Sequence, residues 1–252
     1  MFIYAANWKM RMPFNQAISF CNGNYEDFVA LAIQKDKRIV LFPEFTQIKS
    51  VYDIFKDTNV LVGAQNCSAN EPGAFTGQVS VASLAQIGCD YCIIGHSEVR
   101  ECVNESPEEM ALKILRLFDE GISPILCVGE TFQDFSTKNT EMAIKNELES
   151  VFEAIKGIYG DKKIEREICI AYEPVWAIGT GAIPEIDHIE KVFDLVLQIS
   201  RKFKPVNKIR LIYGGSIDEI NAKKLKNIKN LGGFLLGGVS LDFKKFKKIV
   251  EL

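Results

Sequence analysis

The sequence predicts an α/β fold, a single-domain (β/α)8 barrel, from three observations. Eight short apolar runs recur at near-regular spacing, helical patterns lie between them, and hydrophobicity along each run is continuous rather than alternating. Continuous runs are what strands need when both faces of a parallel sheet are covered. The 252 residues shared among eight units give about 31 per unit, the repeat of a barrel of ~250 residues. No Gly/Ser/Pro-rich linker divides the chain, so one domain is expected over 1–252. A doubly wound open sheet is the competing arrangement that composition alone leaves in place.

The strand-like runs occupy 2–6, 38–42, 60–64, 91–95, 124–128, 168–172, 209–213 and 233–237, each rich in β-branched or other apolar residues. The clearest helix begins at Ser106, where Ser-Pro-Glu-Glu supplies a capping hydroxyl, Pro at the first helical position and Glu109 at the third. Met110, Ile114, Leu117 and Phe118 follow at helical spacing, and Gly121 should end the element. The stretches 138–159 and 187–203 also read as amphipathic helices, and 242–252 as a terminal one with Phe243, Phe246, Ile249 and Val250 inward. Gly23-Asn24 interrupts the helical pattern between Phe14 and Gln34.

Composition removes several classes of function. A chain with 47% hydrophobic and 25% charged residues buries a sizeable core and is not disordered. Its 30 basic and 33 acidic residues give a formal charge of -3, against the strong basicity of a dedicated nucleic-acid binder. The late lysines at 223, 224, 226, 229, 244, 245, 247 and 248 fall on outward helical positions and read as a solvated face. No apolar run approaches the ~18 residues of a membrane span, and the start lacks a basic segment followed by a long apolar one. Seven cysteines, an odd number set mostly among apolar neighbours, fit reduced thiols and a cytoplasmic location. Cys89 and Cys92 form a lone C-x-x-C inside a strand-like segment, which reads as core rather than metal site.

In a barrel the reactive groups gather at the carboxyl ends of the strands. The residues just past the runs are Asn7-Trp8-Lys9, Gly95-His96-Ser97-Glu98, Glu173-Pro174-Val175-Trp176-Ala177-Ile178-Gly179-Thr180-Gly181, Gly214-Gly215-Ser216 and Gly237-Gly238. A carboxylate, an imidazole, an ammonium and several glycine-rich turns thus converge on one rim. The strings NWKM, GAFTGQVS, IIGHSE, ILCVGE, AYEPVWAIGTG, YGGS and FLLGGVSL, in this order and at this spacing over nearly the whole chain, resemble the triosephosphate isomerase family.

The resemblance implies a TIM barrel that interconverts dihydroxyacetone phosphate and D-glyceraldehyde 3-phosphate through an enediolate, with no cofactor and no metal. It puts the catalytic base on Glu173, and abstraction of a proton beside a carbonyl calls for such a positioned acceptor. It makes His96 a neutral electrophile, helped by the helix start that follows it; the family is itself a reference case for this tuning. Lys9 supplies positive charge with Asn7 beside it, Glu98 orients the lysine, and Ser97 and Cys127 support the site. Gly179, Ser216, Gly237 and Gly238 grip the phosphate, where glycine lets backbone N–H groups approach closely. Pro174 to Pro184 resembles a lid whose closure excludes water. The loop 65–78, with Thr76, matches the segment by which family members pair into homodimers.

Each of these residues also has an ordinary reading: surface carboxylate, structural histidine, surface lysine or simple turn. For His188, inside a predicted helix, the ordinary structural reading stands. The family pattern is broken at three places. Val99 replaces an arginine, with Arg100 retained; Ala182-Ile183-Pro184 replaces Lys-Thr-Ala; and Gly232 replaces an aspartate. Two other functions compete, a Schiff-base aldolase on a similar barrel and an inactive phosphometabolite-binding protein. The first lacks a lysine after the fifth or sixth run, and the second leaves Glu173, His96 and Lys9 together without a role.

Overall fold

The computed structural model describes residues 1–160, 164–203 and 208–252. Eight strands, β1 (Phe2–Asn7), β2 (Lys37–Phe42), β3 (Leu61–Ala64), β4 (Tyr91–Ile94), β5 (Ser123–Val128), β6 (Ile168–Tyr172), β7 (Ile209–Tyr213) and β8 (Leu231–Leu236), close into a barrel in chain order. All neighbours are parallel, with Ala5 opposite Val40 on one side of β1 and Tyr4 opposite Phe234 on the other. A register shift between Leu211 and Tyr213 marks the β7–β8 pair. The open sheet is therefore excluded.

Two separate cores explain the unbroken hydrophobicity of the strands. Ile3, Ala5, Val40, Phe42, Ile93, Ile125, Cys127, Cys169, Ala171, Ile212 and Leu235 fill the barrel interior. Their strand neighbours, such as Tyr4, Ala6, Leu41, Ile94, Leu126 and Ile170, pack outward beneath the helices. Side chains alternate along a strand, so the inward set 3, 5 on β1 carries Asn7 and Lys9 to the barrel mouth. In the same way, 169 and 171 on β6 lead to Glu173.

The helices follow from caps and breaks in the sequence. Between β1 and β2 come α1 (Phe14–Gly23) and α2 (Tyr25–Ala32), separated at Asn24, whose side chain turns back to the Phe20 carbonyl at 2.8 Å. Next are α3 (Ile48–Phe55), α4 (Val81–Ile87) and α5 (Ser97–Val103). Helix α6 (Pro107–Asp119) has the expected reciprocal capping box: Ser106 accepts the Glu109 N–H, and Glu109 accepts the Ser106 N–H. A short α7 (Phe132–Ser136) precedes α8 (Thr140–Tyr159). Helix α8 begins two residues later than the pattern predicts, because Lys138 takes a left-handed conformation, φ 60°, that no helix can contain. The chain ends with α9 (Ile186–Ser200), α10 (Ala222–Leu225) and α11 (Phe243–Glu251), the last burying Phe243, Phe246, Ile249 and Val250 as predicted. A four-residue 3-10 turn, Gly238–Leu241, follows β8.

Candidate active site

One pocket of about 330 Å³ at the carboxyl ends of the strands is lined by Asn7, Lys9, His96, Glu98, Glu173, Gly179, Ser216, Gly237 and Gly238. These come from strand ends far apart in sequence. The pocket therefore exists only when the barrel is closed.

Glu173 follows β6 and is 2% exposed, and its N–H is tied to the Val128 carbonyl at 2.8 Å. Its Oε1 lies 3.3 Å from His96 Nε2, while its buried Oε2 has no hydrogen-bond partner among the described residues. A buried carboxylate oxygen left free is costly unless something else uses it, so this oxygen is available to a substrate. The strands press close here: a side chain at Gly129 would overlap the Glu173 carbonyl, and one at Gly214 would come within 2.8 Å of Glu173 Cγ. Cys127 lies on the same inner face, and burial first, then the nearby Glu173 carboxylate, push its thiol well above the ordinary range.

His96 caps α5, and its Nδ1 accepts the Glu98 N–H at 3.2 Å. An acceptor nitrogen carries no proton, so the ring is neutral with its proton on Nε2, directed at Glu173 and the pocket. Ser97, buried, opens the helix behind it.

Lys9 is held in an uncommon backbone conformation, φ 54°. Its N–H donates to Asn7 Oδ1 at 3.0 Å, and its carbonyl accepts from Gln65 Nε2 at 2.9 Å. The ammonium bonds Glu98 Oε1 at 2.7 Å, as expected from sequence. The segment that follows Glu173 forms a 3-10 turn, Val175–Ala177, and reaches back over the pocket. Its tip is fixed by the Gly181 N–H, which donates to Ser216 Oγ at 3.2 Å. Gly179 and Gly181 have φ of 70° and 81°, and Pro184 is buried at the far end. Thr76 is exposed on its own loop and is absent from this pocket.

Three residues were passed over in the sequence reading. Gln65 clamps Lys9, and Arg11 lines the same pocket near Gly238. Glu130, fully buried two residues past β5, accepts Trp176 Nε1 at 2.9 Å and Tyr172 Oη at 3.1 Å. Glu130 lies near a strand end, but its partner Trp176 is 46 residues away in sequence and no local pattern announces it.

One departure, Gly232, has a local explanation; nothing in the structure explains Val99 or Ala182-Ile183-Pro184. Arg100, next to Val99, pairs with Glu147 at 2.6 Å. Gly232 gives room to the stem of Arg210, which forms a two-pronged pair with Glu167. Among the described residues, no group of His, Cys, Asp and Glu is placed to hold a metal.

A barrel whose carboxylate, neutral imidazole and ammonium meet in one small pocket is an enzyme built for proton transfer. The comparisons give the family. A family model described as triosephosphate isomerase matches residues 2–252. The triosephosphate isomerase of Aquifex aeolicus is 36% identical over 98% of both chains. That of Hahella chejuensis is 35% identical over 99% of this chain and 97% of its own. That of Dictyoglomus thermophilum is 36% identical over 99% and 98%. The chain belongs to the triosephosphate isomerase family. It is an aldose–ketose isomerase that interconverts dihydroxyacetone phosphate and D-glyceraldehyde 3-phosphate.

Proposed function

We propose that Glu173 is the base of this isomerisation and His96 its electrophile. Glu173 takes the proton from the carbon beside the ketone, and the electron pair moves into the carbon–oxygen framework as an enediolate. The His96 Nε2–H donates to the developing oxyanion and moves protons between the two oxygens. Glu173, now protonated, returns the proton to the adjacent carbon. Lys9 and Asn7 stabilise the enediolate oxygens, and the lysine charge also attracts the phosphate. Backbone N–H groups at Gly179, Gly237 and Gly238, with Ser216, receive the phosphate itself. Residues Pro174, Val175, Trp176, Ala177, Ile178, Gly179, Thr180 and Gly181 act as a lid that keeps water from the enediolate.

The observation that carries this reading is the 3.3 Å approach of Glu173 Oε1 to His96 Nε2 inside the pocket. A coupled assay of Glu173→Gln tests it: turnover should fall by at least ~10³-fold while inhibition by inorganic phosphate persists. Wild-type turnover in that variant would refute the assignment.

We further infer a cytoplasmic homodimer organised as one domain. No described helix is long and apolar enough to cross a membrane, and six of the seven free cysteines are buried. The loop 65–78 is braced by Ser68 with Gln78 and by Arg116 with Glu71, and it presents exposed Phe75 beside Thr76. Sedimentation of the wild type and of Phe75→Asp tests the pairing, the variant being expected to run as a monomer.

A further inference from the structure

A buried carboxylate outside the reaction centre connects the lid to solvent. Glu130 is 0% exposed, and its Oε1 receives two donors, Tyr172 Oη at 3.1 Å and Trp176 Nε1 at 2.9 Å. Its Oε2 has no hydrogen-bond partner among the described residues. Trp176 belongs to the lid and also stacks on Phe135, centroids 4.2 Å apart. On the outer side, His188 of α9 places Nε2 at 3.1 Å from Tyr172 Oη and 3.8 Å from Glu130 Oε1. Tyr172 gives its single proton to Glu130, so the contact from His188 is an N–H donated to the tyrosine oxygen. Donors therefore run in one direction, from His188 through Tyr172 to Glu130, where the lid indole meets them.

We propose that His188 is a positioning residue for the lid, setting through Tyr172 and Glu130 how firmly Trp176 is held, and that its protonation tightens the hold. This rests on reading 174–181 as the lid. The imidazole is 27% exposed and opens onto a groove of about 820 Å³ between α8 and α9, so solvent protons reach it. On the groove side the charged groups are Lys138, Glu141, Lys191 and Asp194. On the inner side are Tyr172 and Glu130, with Tyr213 and Glu147 within the electrostatic reach of Glu130. A proton added to His188 places a cation beside a carboxylate whose second oxygen is unpaired. Such a charge favours the ionised, latched Glu130. The sign is fixed: a proton on His188 slows lid opening.

The test uses the full chain labelled with 5-fluorotryptophan, in which Trp176 reports the lid and Trp8 serves as internal reference. Fluorine relaxation dispersion is recorded between pH 5.5 and 8, with kcat measured in parallel. In the wild type, Trp176 exchange should slow about three- to fivefold toward low pH, the effect of a partly exposed ion pair. His188→Gln keeps a donor for Tyr172 but cannot titrate, so its exchange should be flat with pH. His188→Phe loses the donor and should exchange faster throughout. A wild-type pH slope in His188→Gln, or wild-type exchange in His188→Phe, overturns the proposal. So does a Trp176 signal without exchange. Exchange that follows His188 in a chain without isomerase turnover would instead refute the catalytic assignment and leave the relay standing.

Discussion

The side-chain amide of Gln65 donates to the carbonyl oxygens of both Lys9 and Phe42, each at 2.9 Å. Lys9 sits at φ 54°, a conformation that costs a non-glycine residue about 1–2 kcal/mol. Gln65 thus holds a strained backbone in place from a loop outside the catalytic set. Its replacement by alanine should free the lysine to relax and lower kcat/KM by roughly tenfold, the scale of a small misplacement. If Gln65 acts through Lys9, adding Gln65→Ala to Lys9→Met should cost nothing further, since coupled sites are not additive. An additive double variant, read by steady-state kinetics, would give Gln65 a separate role.

Lys9→Met removes a charge that the phosphate dianion and the enediolate would both use. KM should therefore rise and kcat fall together. A change confined to KM would mean that the lysine only gathers substrate. Glu98, its 2.7 Å partner, is 54% exposed, so Glu98→Gln should weaken activity far less than the loss of Lys9.

Stability should be most sensitive in the aromatic cluster that packs α2 against α3 and α11. Phe28 of α2 meets Phe243 at 4.7 Å, Phe55 at 5.5 Å and Phe246 at 5.9 Å between ring centroids. Phe28→Ala should cost about 3–5 kcal/mol of unfolding free energy in urea. Phe28→Leu should cost under ~1.5 kcal/mol. Turnover of folded enzyme at low temperature should be unchanged in both.

The buried thiols make the fold sensitive to alkali. Burial pushes Cys21, Cys89 and Cys169 from 9.0 up to about 12. Between these values the unfolded chain releases protons that the folded chain keeps. Stability is then fully present below pH 9 and declines toward pH 12, by up to ~1.4 kcal/mol per pH unit for each such thiol. Urea titrations from pH 8 to 11 should show this slope, reduced by one proton in Cys21→Ala. At neutral pH a thiol reagent should label exposed Cys102 in the native state and the other six only on unfolding.

Most of the barrel is legible in the sequence because burial on both strand faces leaves uninterrupted apolar runs, and the Ser106 capping box is written in four consecutive letters. Glu173, His96 and Lys9 are legible because a strand end fixes where a side chain points. Gln65, Arg11 and Glu130 were missed for a common reason. Their roles depend on partners brought near by closure, such as Phe42 for Gln65 or Trp176 for Glu130. Nothing local in their spacing announces those partners. The left-handed Lys138 is similar: a helical pattern ran through it, and only the backbone shows the break.

Strand β1 is paired on both sides, by β2 and by β8. During synthesis β2 follows β1 after a short interval, whereas β8 is made after the other seven strands of the barrel. Until then one edge of β1 offers its backbone donors and acceptors to any extended segment nearby, the usual route to misassembly of unfinished sheets. Lys9 and the Gly237-Gly238 turn are also apart until that moment, so the pocket they line is absent from the growing chain. The vulnerable period of this molecule is thus its birth, and a chaperone that shields the open edge of β1 would act at the one seam that closure later erases.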